Sequence, residues 1–274
     1  MNSFMNEIET FFQKSSSDET WFLDDHIKLP NRAMNYGDGL FETMVWIKGE
    51  IRFLEKHVDR ILSGMKVLGL DSYSINPEEL VSLLSEKCQT KVRRIRWSVF
   101  RAGGGKYTPE ISEVHQTLQI SDFSPAAILK VKVGVSRQIK LFPTPWSGFK
   151  SLNALPYVLA NQERKNRGLD EIVLLDYRGF VSEASASNIF WIRDEVIYTP
   201  ALSCSCINGV SRQMILEHLS IKNIPFSEGE FPVSELQNAE QVFVSNCTGI
   251  SYLESFEGTK FTTEPLSVLK EIFE

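Results

Sequence analysis

Apolar and polar residues alternate along this chain with two different periodicities, and each periodicity predicts a different kind of element. From residue 54 to residue 70 the apolar side chains recur every three or four positions and fall on one helical face: Leu54, Val58, Ile61, Leu62, Met65 and Leu68. The segment NPEELVSLLSEKCQTK (76–91) repeats this rhythm and has Pro77 in its first turn. Three more helices are predicted at about 152–166, at 209–219 and at 267–273.

Shorter runs that alternate, or that are rich in β-branched and aromatic residues, predict strands. FETMVWIKGEIRFL (41–54) is typical of a hairpin that turns at Lys48-Gly49. TWFLDDHIKLP (20–30) predicts two short strands around the turn-forming pair Asp24-Asp25. The remaining predicted strands are 92–102 and 115–123 around the glycine loop 103–110, then 130–136, 171–176 with a hairpin at Arg178-Gly179, 187–200 and 241–246.

The order of these elements bounds the fold class and the domain organisation. Hairpins interspersed with helices predict an α+β, or mixed α/β, fold rather than a doubly wound parallel sheet. SPAAILK (124–130) separates two sections that each have their own helices and strands. We therefore expect a smaller N-terminal α/β domain at 1–124 and a larger C-terminal domain at 125–274.

The charge balance argues against a nucleic-acid partner. The formal net charge is −6 and the pI is about 5.4, so no overall field attracts a polyanion. The basic cluster Lys91, Arg93, Arg94 and Arg96 is local and alternates with apolar residues. Such a cluster suits a small anionic ligand.

The N-terminus and the cysteines indicate a reduced compartment. MNSFMNEIETFFQKSSSDE lacks the basic and apolar regions of a signal peptide, and no apolar run approaches the length of a membrane span. Of the four cysteines only Cys204 and Cys206 lie close together, and their CxC spacing lacks the second pair of a zinc site. We expect a cytoplasmic protein that has no membrane partner and no metal.

Three segments are candidates for binding an anion such as phosphate. GVSRQMILEHL begins with Gly209 and the hydroxyl of Ser211 before a helix, where unpaired N–H groups and the helix dipole favour anions. The alternative is that Asn208 or Ser211 merely caps the helix. Thr248 precedes a glycine at a strand end, in what is otherwise an ordinary turn. Arg60 lies one position beyond the apolar helical face and is otherwise solvated.

Two further residues are candidates for catalysis. Glu183 lies among small residues directly after the apolar strand segment GFV, so a buried carboxylate with a partner is one reading and an exposed loop acid the other. Lys150, in FKSLN (149–153), is either a solvated charge or a reactive amine. The lysine-containing GGGK (103–106) lacks the spacing of a phosphate loop, and Lys150-Ser151 lacks the context of a Ser/Lys hydrolase.

Together these segments resemble the class IV aminotransferases, the fold type IV enzymes that use pyridoxal phosphate (PLP). The resemblance covers about residues 36–249 and depends on five motifs in family order: NYGDGLFET (35–43), HVDRILSGMKVLGL (57–70), KSLNALPYVLANQE (150–163), SEASASNIFWIRDEVIYTP (182–200) and NGVSRQMIL (208–216). It implies a two-domain enzyme similar to the D-amino-acid aminotransferases, with the cofactor bound by the C-terminal domain. It also implies a homodimer.

The resemblance assigns a role to each candidate residue. Lys150 matches the lysine that forms the Schiff base and moves the Cα proton, and Glu183 matches the acid on the pyridine nitrogen. The phosphate-binding positions are matched by Arg60, Ser211, Thr248 and the backbone of Val210. Asn188 belongs to the SN pair that follows the glutamate's loop and is expected to bind the cofactor too.

The segments that set substrate specificity point to different branches of the family. Ala154 stands where branched-chain enzymes tend to have tyrosine, and KSLN is more similar to D-amino-acid aminotransferases and aminodeoxychorismate lyases. RIRWSVF (94–100) resembles the branched-chain arginine strand, whereas FRAGGGKY (100–107) resembles the lyase loop. The expected substrate-binding residues are Phe41, Arg96, Arg101, Lys106 and Tyr107. The expected activity is transfer of an amino group between an amino acid and a 2-oxo acid through a pyridoxamine intermediate; the alternative is a 4-amino-4-deoxychorismate lyase that releases pyruvate and 4-aminobenzoate.

Overall fold

The structure is a computed structural model that describes residues 10–23 and 26–273. The helices in these residues are α1 (Arg32–Tyr36), α2 (Leu54–Leu68), α3 (Pro77–Cys88), α4 (Leu155–Asn166), α5 (Val210–Ile221), α6 (Ser234–Gln237) and α7 (Ser267–Phe273), with a 3-10 turn at Leu202–Cys204. The first strands are β1 (Thr10–Ser15), β2 (Phe22–Leu23), β3 (Gly39–Ile47), β4 (Glu50–Ile51), β5 (Arg93–Arg101) and β6 (Val114–Asp122). The later strands are β7 (Leu129–Lys130), β8 (Val133–Leu141), β9 (Glu171–Asp176), β10 (Val181–Ala184), β11 (Asn188–Arg193), β12 (Val196–Pro200), β13 (Phe226–Gly229), β14 (Gln241–Asn246), β15 (Gly249–Leu253), β16 (Ser255–Phe256) and β17 (Thr259–Lys260).

These elements belong to two units. The first unit takes in the described residues up to Ser124 together with Phe149–Asn153, and the second takes in Pro125–Gly148 and the described residues from Ala154 onward. The first unit thus ends at the expected boundary, but it also includes the five residues around Lys150. The division into a smaller N-terminal domain at 1–124 and a larger cofactor-binding domain at 125–274 stays a prediction.

The first unit is an antiparallel sheet covered by helices on one face. Its strand order is β2-β1-β6-β5-β3-β4. Because side chains alternate along a strand, Met44 and Trp46 of β3 and Trp97 of β5 share the face that packs against Ile61 of α2 and Leu84 of α3. The other face therefore carries the intervening side chains, including Phe41 and Arg96.

The second unit is built from two sheets with helices on their outer faces. One sheet has the order β10-β9-β8-β16-β17 and the other β13-β12-β11-β14-β15-β7. Val173 and Trp191 belong to a core formed by residues of both sheets, whereas Ile172 and Leu174 pack with Ala160 of α4. Strand β9 is buried on both faces for this reason, which explains its apolar run IVLL. Helices α5 and α7 share a third core with β11 and β14 through Ile215, Leu269, Phe190 and Phe243.

Most of the predicted elements are confirmed. The hairpin at Lys48-Gly49 has both residues at positive φ, 55° and 85°, as a two-residue hairpin turn requires. The predicted strand after Asp24-Asp25 is wrong for 26–30, which form none; the aspartate pair itself lies outside the described residues. Strand β1 was not predicted. Helix α4 begins at Leu155 instead of about Leu152, because the residues before it pair with β3.

Candidate active site

Glu183 lies in strand β10 and is a buried carboxylate, so the reading of an exposed loop acid is wrong. Only 3% of the residue is exposed. The Tyr157 hydroxyl donates to Oε1 at 2.6 Å, and the backbone N–H of Ile207 donates to Oε2 at 3.3 Å. A buried carboxylate with two such donors is stabilised in its ionised form.

Tyr157 is a site residue that the sequence did not single out. Burial, followed by the charge of Glu183 and the hydrogen bond to it, raises the pKa of Tyr157 well above its ordinary value. The hydroxyl is therefore protonated and acts as the donor. Tyr157 and Glu183 are 26 residues apart, and nothing in the helical pattern of α4 marks the tyrosine as a partner of the acid.

The N-terminus of α5 has no side-chain cap. The N-cap residue is Gly209, which makes no side-chain cap hydrogen bond, so the reading of Asn208 or Ser211 as the N-cap is wrong. Ser211 is buried in the first turn, and the Ser245 hydroxyl of β14 donates to its hydroxyl at 3.4 Å. The first N–H groups of a helix and a buried hydroxyl at its positive end suit a phosphate. Ser245 was not predicted from the sequence, because in SNCTG (245–249) the hydroxyl next to the glycine is that of Thr248.

Asn188 holds the backbone that leads into α5. Its amide donates to the carbonyl of Ile207 at 2.7 Å. A Cβ at Gly209 would lie 1.9 Å from Oδ1 of Asn188, so only glycine fits there. Because the N–H of the same Ile207 also reaches Glu183, a short stretch of chain connects the carboxylate to the start of the helix.

Thr248 lies in the two-residue turn between β14 and β15. Its backbone N–H and its hydroxyl donate to Oδ1 of Asn246 at 2.8 Å and 2.6 Å. Asn246 in turn donates to the Ser187 hydroxyl at 2.9 Å. The turn is thus fixed by side chains, and a hydrogen bond from the Thr248 hydroxyl to a phosphate would replace the one to Asn246.

Arg60 is buried in α2, so the reading of a solvated face is wrong. Its Nε donates to Oε1 of Glu42 at 2.8 Å, and an Nη atom contacts Oε2. His57 contacts the same carboxylate at 2.7 Å. Burial alone would raise the pKa of Glu42, but the charge of Arg60 and the hydrogen bonds from His57 and Arg60 lower it to about 2. Glu42 therefore fixes the direction of the Arg60 guanidinium.

Lys150 is positioned by backbone pairing with β3. Its carbonyl accepts from the N–H of Phe41 at 2.8 Å, and the N–H of Leu152 donates to Gly39 at 2.9 Å. Its Nζ lies 4.9 Å from the centroid of the Phe41 ring, and the Arg96 guanidinium lies 3.8 Å from the same centroid. The structure thus brings together three of the predicted residues.

Arg96 also lines a small pocket on the open face of the first unit's sheet. The pocket has a volume of about 120 Å³ and is lined by Phe11, Phe12, Ile27, Arg96, Ser98, Thr117 and Gln119. Burial, and then the charge of Arg94, lowers the pKa of Arg96. Thr117 and Gln119 come from the neighbouring strand β6, so their closeness to Arg96 depends on the register between β5 and β6.

The other predicted substrate residues have different surroundings. Arg101 is buried on the face opposite Arg96, where it donates to Asp38 and to the last carbonyls of α2 at Leu68 and Gly69. Such contacts to the C-terminal end of a helix are structural. Lys106 and Tyr107 have exposed side chains, and Arg32 of α1 binds their carbonyls.

Neither a metal-binding cluster nor a membrane-spanning helix is found among the described residues. Those residues contain no group of three or more His, Cys, Asp or Glu able to hold a metal. In the same part of the chain no helix is long and apolar enough to cross a membrane. Cys88, Cys204 and Cys206 are buried thiols, and burial raises the pKa of Cys206 to about 12. The cytoplasmic location stays a prediction.

Comparison with known proteins decides the family. The profile described as "Amino-transferase class IV" matches residues 39–251. The chain belongs to this family. As a class IV aminotransferase family member it has the fold type IV architecture, and its cofactor is PLP.

Individual relatives of this class IV member differ in activity. An aminodeoxychorismate lyase from Vibrio harveyi is 29% identical over 231 residues, 81% of this chain and 83% of the relative. A D-alanine aminotransferase from Staphylococcus aureus is 30% identical over 230 residues, 79% and 78% of the two chains. The structure of a PLP-bound aminotransferase from Brucella abortus superimposes with a TM-score of 0.81 at 18% identity, covering 96% of this chain and 98% of that one.

The residues of the second unit fit PLP. The N-terminus of α5, which begins with a glycine cap, suits the phosphate, and the Glu183 carboxylate suits a protonated ring nitrogen. Both lie beside Ile207–Gly209, whose glycine leaves room where a Cβ would clash. The class IV member therefore retains the donor and acceptor types that this cofactor needs.

Proposed function

We propose that this protein is a PLP-dependent aminotransferase that transfers an amino group between an amino acid and a 2-oxo acid. The observation that carries the proposal is the arrangement on the Phe41 ring, where the Lys150 amine and the Arg96 guanidinium both lie. A guanidinium binds a carboxylate through paired, charge-assisted hydrogen bonds. An amino acid held by its carboxylate at Arg96 presents its Cα close to Lys150.

Each residue then has a separate task. Lys150 anchors the cofactor covalently and, once released, takes the proton from Cα and returns it as general base and acid. Ser211, Thr248, the N–H of Val210 and Arg60 bind the phosphate. Glu183 binds the ring nitrogen, and Asn188 holds the backbone that precedes α5 in place.

The cofactor, when bound with its ring nitrogen protonated, supplies an electron sink for the carbon from which the proton is removed. The ionised Glu183 keeps that nitrogen protonated because a neighbouring negative charge favours the cationic form. Glu42 and His57 do not contact the phosphate themselves. Glu42 binds Arg60 and His57 binds Glu42, and these contacts keep the Arg60 guanidinium in one direction. Different residues thus hold the phosphate and the ring nitrogen of the cofactor.

The substrate is proposed to carry a second acidic group. Arg96 is one cation for a carboxylate, and Lys106 on the glycine loop is proposed as the second. The pocket beside Arg96 contributes Ser98, Thr117 and Gln119, whose hydroxyls and amide suit a polar substrate better than an aliphatic one. Arg101 is not included, because its donors serve α2 and Asp38.

A second candidate function is 4-amino-4-deoxychorismate lyase. The observation that favours it is the relative from Vibrio harveyi, which bears this name and matches over 81% of this chain. The same lysine would serve, and the two carboxylates of aminodeoxychorismate would use the same two cations. The products differ, however, because a lyase releases pyruvate and 4-aminobenzoate.

Separate half-reactions test the two functions. Purified protein loaded with PLP is mixed with single amino acids, including glutamate, both alanine enantiomers and leucine, and with aminodeoxychorismate. An aminotransferase converts an amino acid to its 2-oxo acid in an amount equal to the bound cofactor and stops until a second oxo acid is added. Continuous formation of 4-aminobenzoate without transfer to any oxo acid would instead establish the lyase.

The protein is also proposed to be a homodimer. Helix α4 exposes Leu155, Val158 and Leu159 by 59%, 61% and 39%. Adjacent large apolar side chains on one helix face are typical of an interface. A second copy of the chain is the proposed occupant, as the family resemblance implies.

A further inference from the structure

The hydrogen bond between Tyr157 and Glu183 is short and joins α4 to β10. The separation of Oη and Oε1 is 2.6 Å. Hydroxyl donors approach carboxylates to about 2.5–2.7 Å, whereas neutral hydroxyl pairs stay near 2.7–2.8 Å. Because the pKa of Tyr157 is raised, its hydroxyl is the donor and the Glu183 carboxylate is the acceptor.

The groups around this pair are consistent with one negative charge at Glu183. Burial and the proximity of Glu183 raise the pKa values of both Tyr157 and Cys206, so each is neutral near pH 8. Arg212 acts on Cys206 in the opposite direction but does not outweigh burial. The hydrogen bonds from Tyr157 and Ile207 therefore contribute to stabilising the anion.

The two oxygens of the carboxylate are held by different parts of the second unit. Oε1 accepts from Tyr157 of α4, and Oε2 accepts from the N–H of Ile207 before α5. Donors on both oxygens fix the plane of the carboxylate as well as its charge. A carboxylate oxygen can accept more than one hydrogen bond, so the ring nitrogen of a cofactor can be a further donor.

We propose that Tyr157 is a positioning residue that keeps Glu183 ionised and directs it at the ring nitrogen of PLP. This inference rests on the proposed function, in which Glu183 binds that nitrogen. Tyr157 does not touch the reacting atoms. Its effect passes through Glu183 to the protonation of the ring.

The test replaces the hydroxyl and observes the nitrogen directly. Tyr157→Phe retains the aromatic ring and removes the donor, and PLP labelled with ¹⁵N in the ring reports protonation through its chemical shift. We expect a protonated nitrogen in the wild type, a smaller protonated fraction in Tyr157→Phe, and a largely unprotonated nitrogen in Glu183→Gln. Turnover should fall about tenfold in Tyr157→Phe with KM within about twofold, as for one lost hydrogen bond to a charged group.

Tyr252→Phe is the matched control. Tyr252 is also a buried tyrosine of the second unit, and its hydroxyl accepts from Leu266 at 2.8 Å, away from Glu183. This variant should keep the wild-type nitrogen shift. An equal change of the shift in both tyrosine variants would assign the effect to general loss of packing and would overturn the proposal.

A double variant tests whether Tyr157 acts through Glu183. In the Glu183→Gln background, Tyr157→Phe should have little further effect on the shift or on turnover, because the charge that it serves is absent. Independent effects that multiply would overturn the positioning role. Absence of PLP from Lys150 in the wild type would contradict the proposed function instead, whereas a wild-type nitrogen shift in PLP-loaded Tyr157→Phe would contradict only this inference.

Discussion

The guanidinium of Arg96 lies 3.8 Å from the centre of the Phe41 ring, and the amine of Lys150 lies 4.9 Å from the same point. The negative face of the ring partly offsets the repulsion between the two cations. Strand β5 supplies the arginine, and the segment paired to β3 supplies the lysine. One aromatic side chain thus lies beside both the Arg96 guanidinium and the Lys150 amine.

Replacing Arg96 should weaken substrate binding without unfolding the protein. We expect Arg96→Ala to raise KM for an acidic substrate about ten- to a hundredfold, the effect of one lost charge-assisted contact. Arg101→Ala should instead lower the free energy of unfolding, because Arg101 binds the end of α2. Steady-state kinetics and urea unfolding of both variants separate the two roles. A larger KM effect at Arg101 than at Arg96 would contradict this assignment.

The second cation predicts which substrates react. Glutamate or aminodeoxychorismate should turn over at least as well as a small neutral amino acid, and Lys106→Ala should raise KM for the acidic substrate only. The measurement is a comparison of kcat/KM across substrates in wild type and variant. Good turnover of neutral aliphatic amino acids, with none of glutamate or aminodeoxychorismate, would eliminate the acidic pocket.

Lys150 should be the site of cofactor attachment. Borohydride reduction of the PLP-loaded protein should fix the cofactor to the peptide that contains Lys150, and Lys150→Ala should abolish the adduct. Lys165→Ala, at an exposed position of α4, serves as the control and should retain it. Peptide mass spectrometry locates the label, and its appearance on Lys140 or Lys165 in the wild type would overturn the assignment.

Glu183→Gln should leave PLP bound but slow proton removal. An amide lacks the charge that stabilises a protonated ring, and losing one such electrostatic contribution commonly costs about a hundredfold or more in turnover. Equilibrium dialysis measures PLP affinity, and single-turnover kinetics measures the rate. Near-normal turnover would mean that another residue contacts the ring nitrogen.

The Glu42 network makes the stability of the first unit depend on pH. The pKa of Glu42 is lowered from 4.5 to about 2, so its stabilisation is present above about pH 4.5 and is lost as the pH falls toward 2. Glu42→Gln should cost about 3–5 kcal/mol of unfolding free energy near pH 7, because Arg60 stays buried without its charged partner. The difference from wild type should shrink in urea titrations below pH 4.5. Glu110→Gln, at an exposed position, should show no such trend.

The exposed face of α4 predicts the oligomeric state. Light scattering after size exclusion should give the mass of a dimer for the wild type, and Val158→Asp should shift it toward the monomer because a charge replaces an apolar contact. Lys165→Glu changes the charge of the same helix and should remain dimeric. A monomeric wild type at micromolar concentration would contradict the proposed interface.

Much of the secondary structure was predictable because it depends on local patterns. The 3.6-residue rhythm of α2, the Lys48-Gly49 turn and the unbroken apolar run of β9 each have a cause within a few residues. Strand β1 was missed because its sequence TFFQKS lies in a polar region and gains its order by pairing with β6. The start of α4 was placed too early because residues 149–153 pair with β3, which lies more than a hundred residues earlier in the chain.

The sequence by itself determined the family, the cofactor type and the residue types of the candidate site, because the motifs around Lys150, Glu183 and Gly209 preserve side chains whose chemistry is distinctive. Only the tertiary structure decided how those side chains are used. It buried Arg60 against Glu42, turned Arg101 onto α2, and placed the Tyr157 hydroxyl on Glu183. These outcomes depend on strand register and on packing between distant segments, and hydrogen bonds form only where such packing brings a donor within about 3 Å of an acceptor.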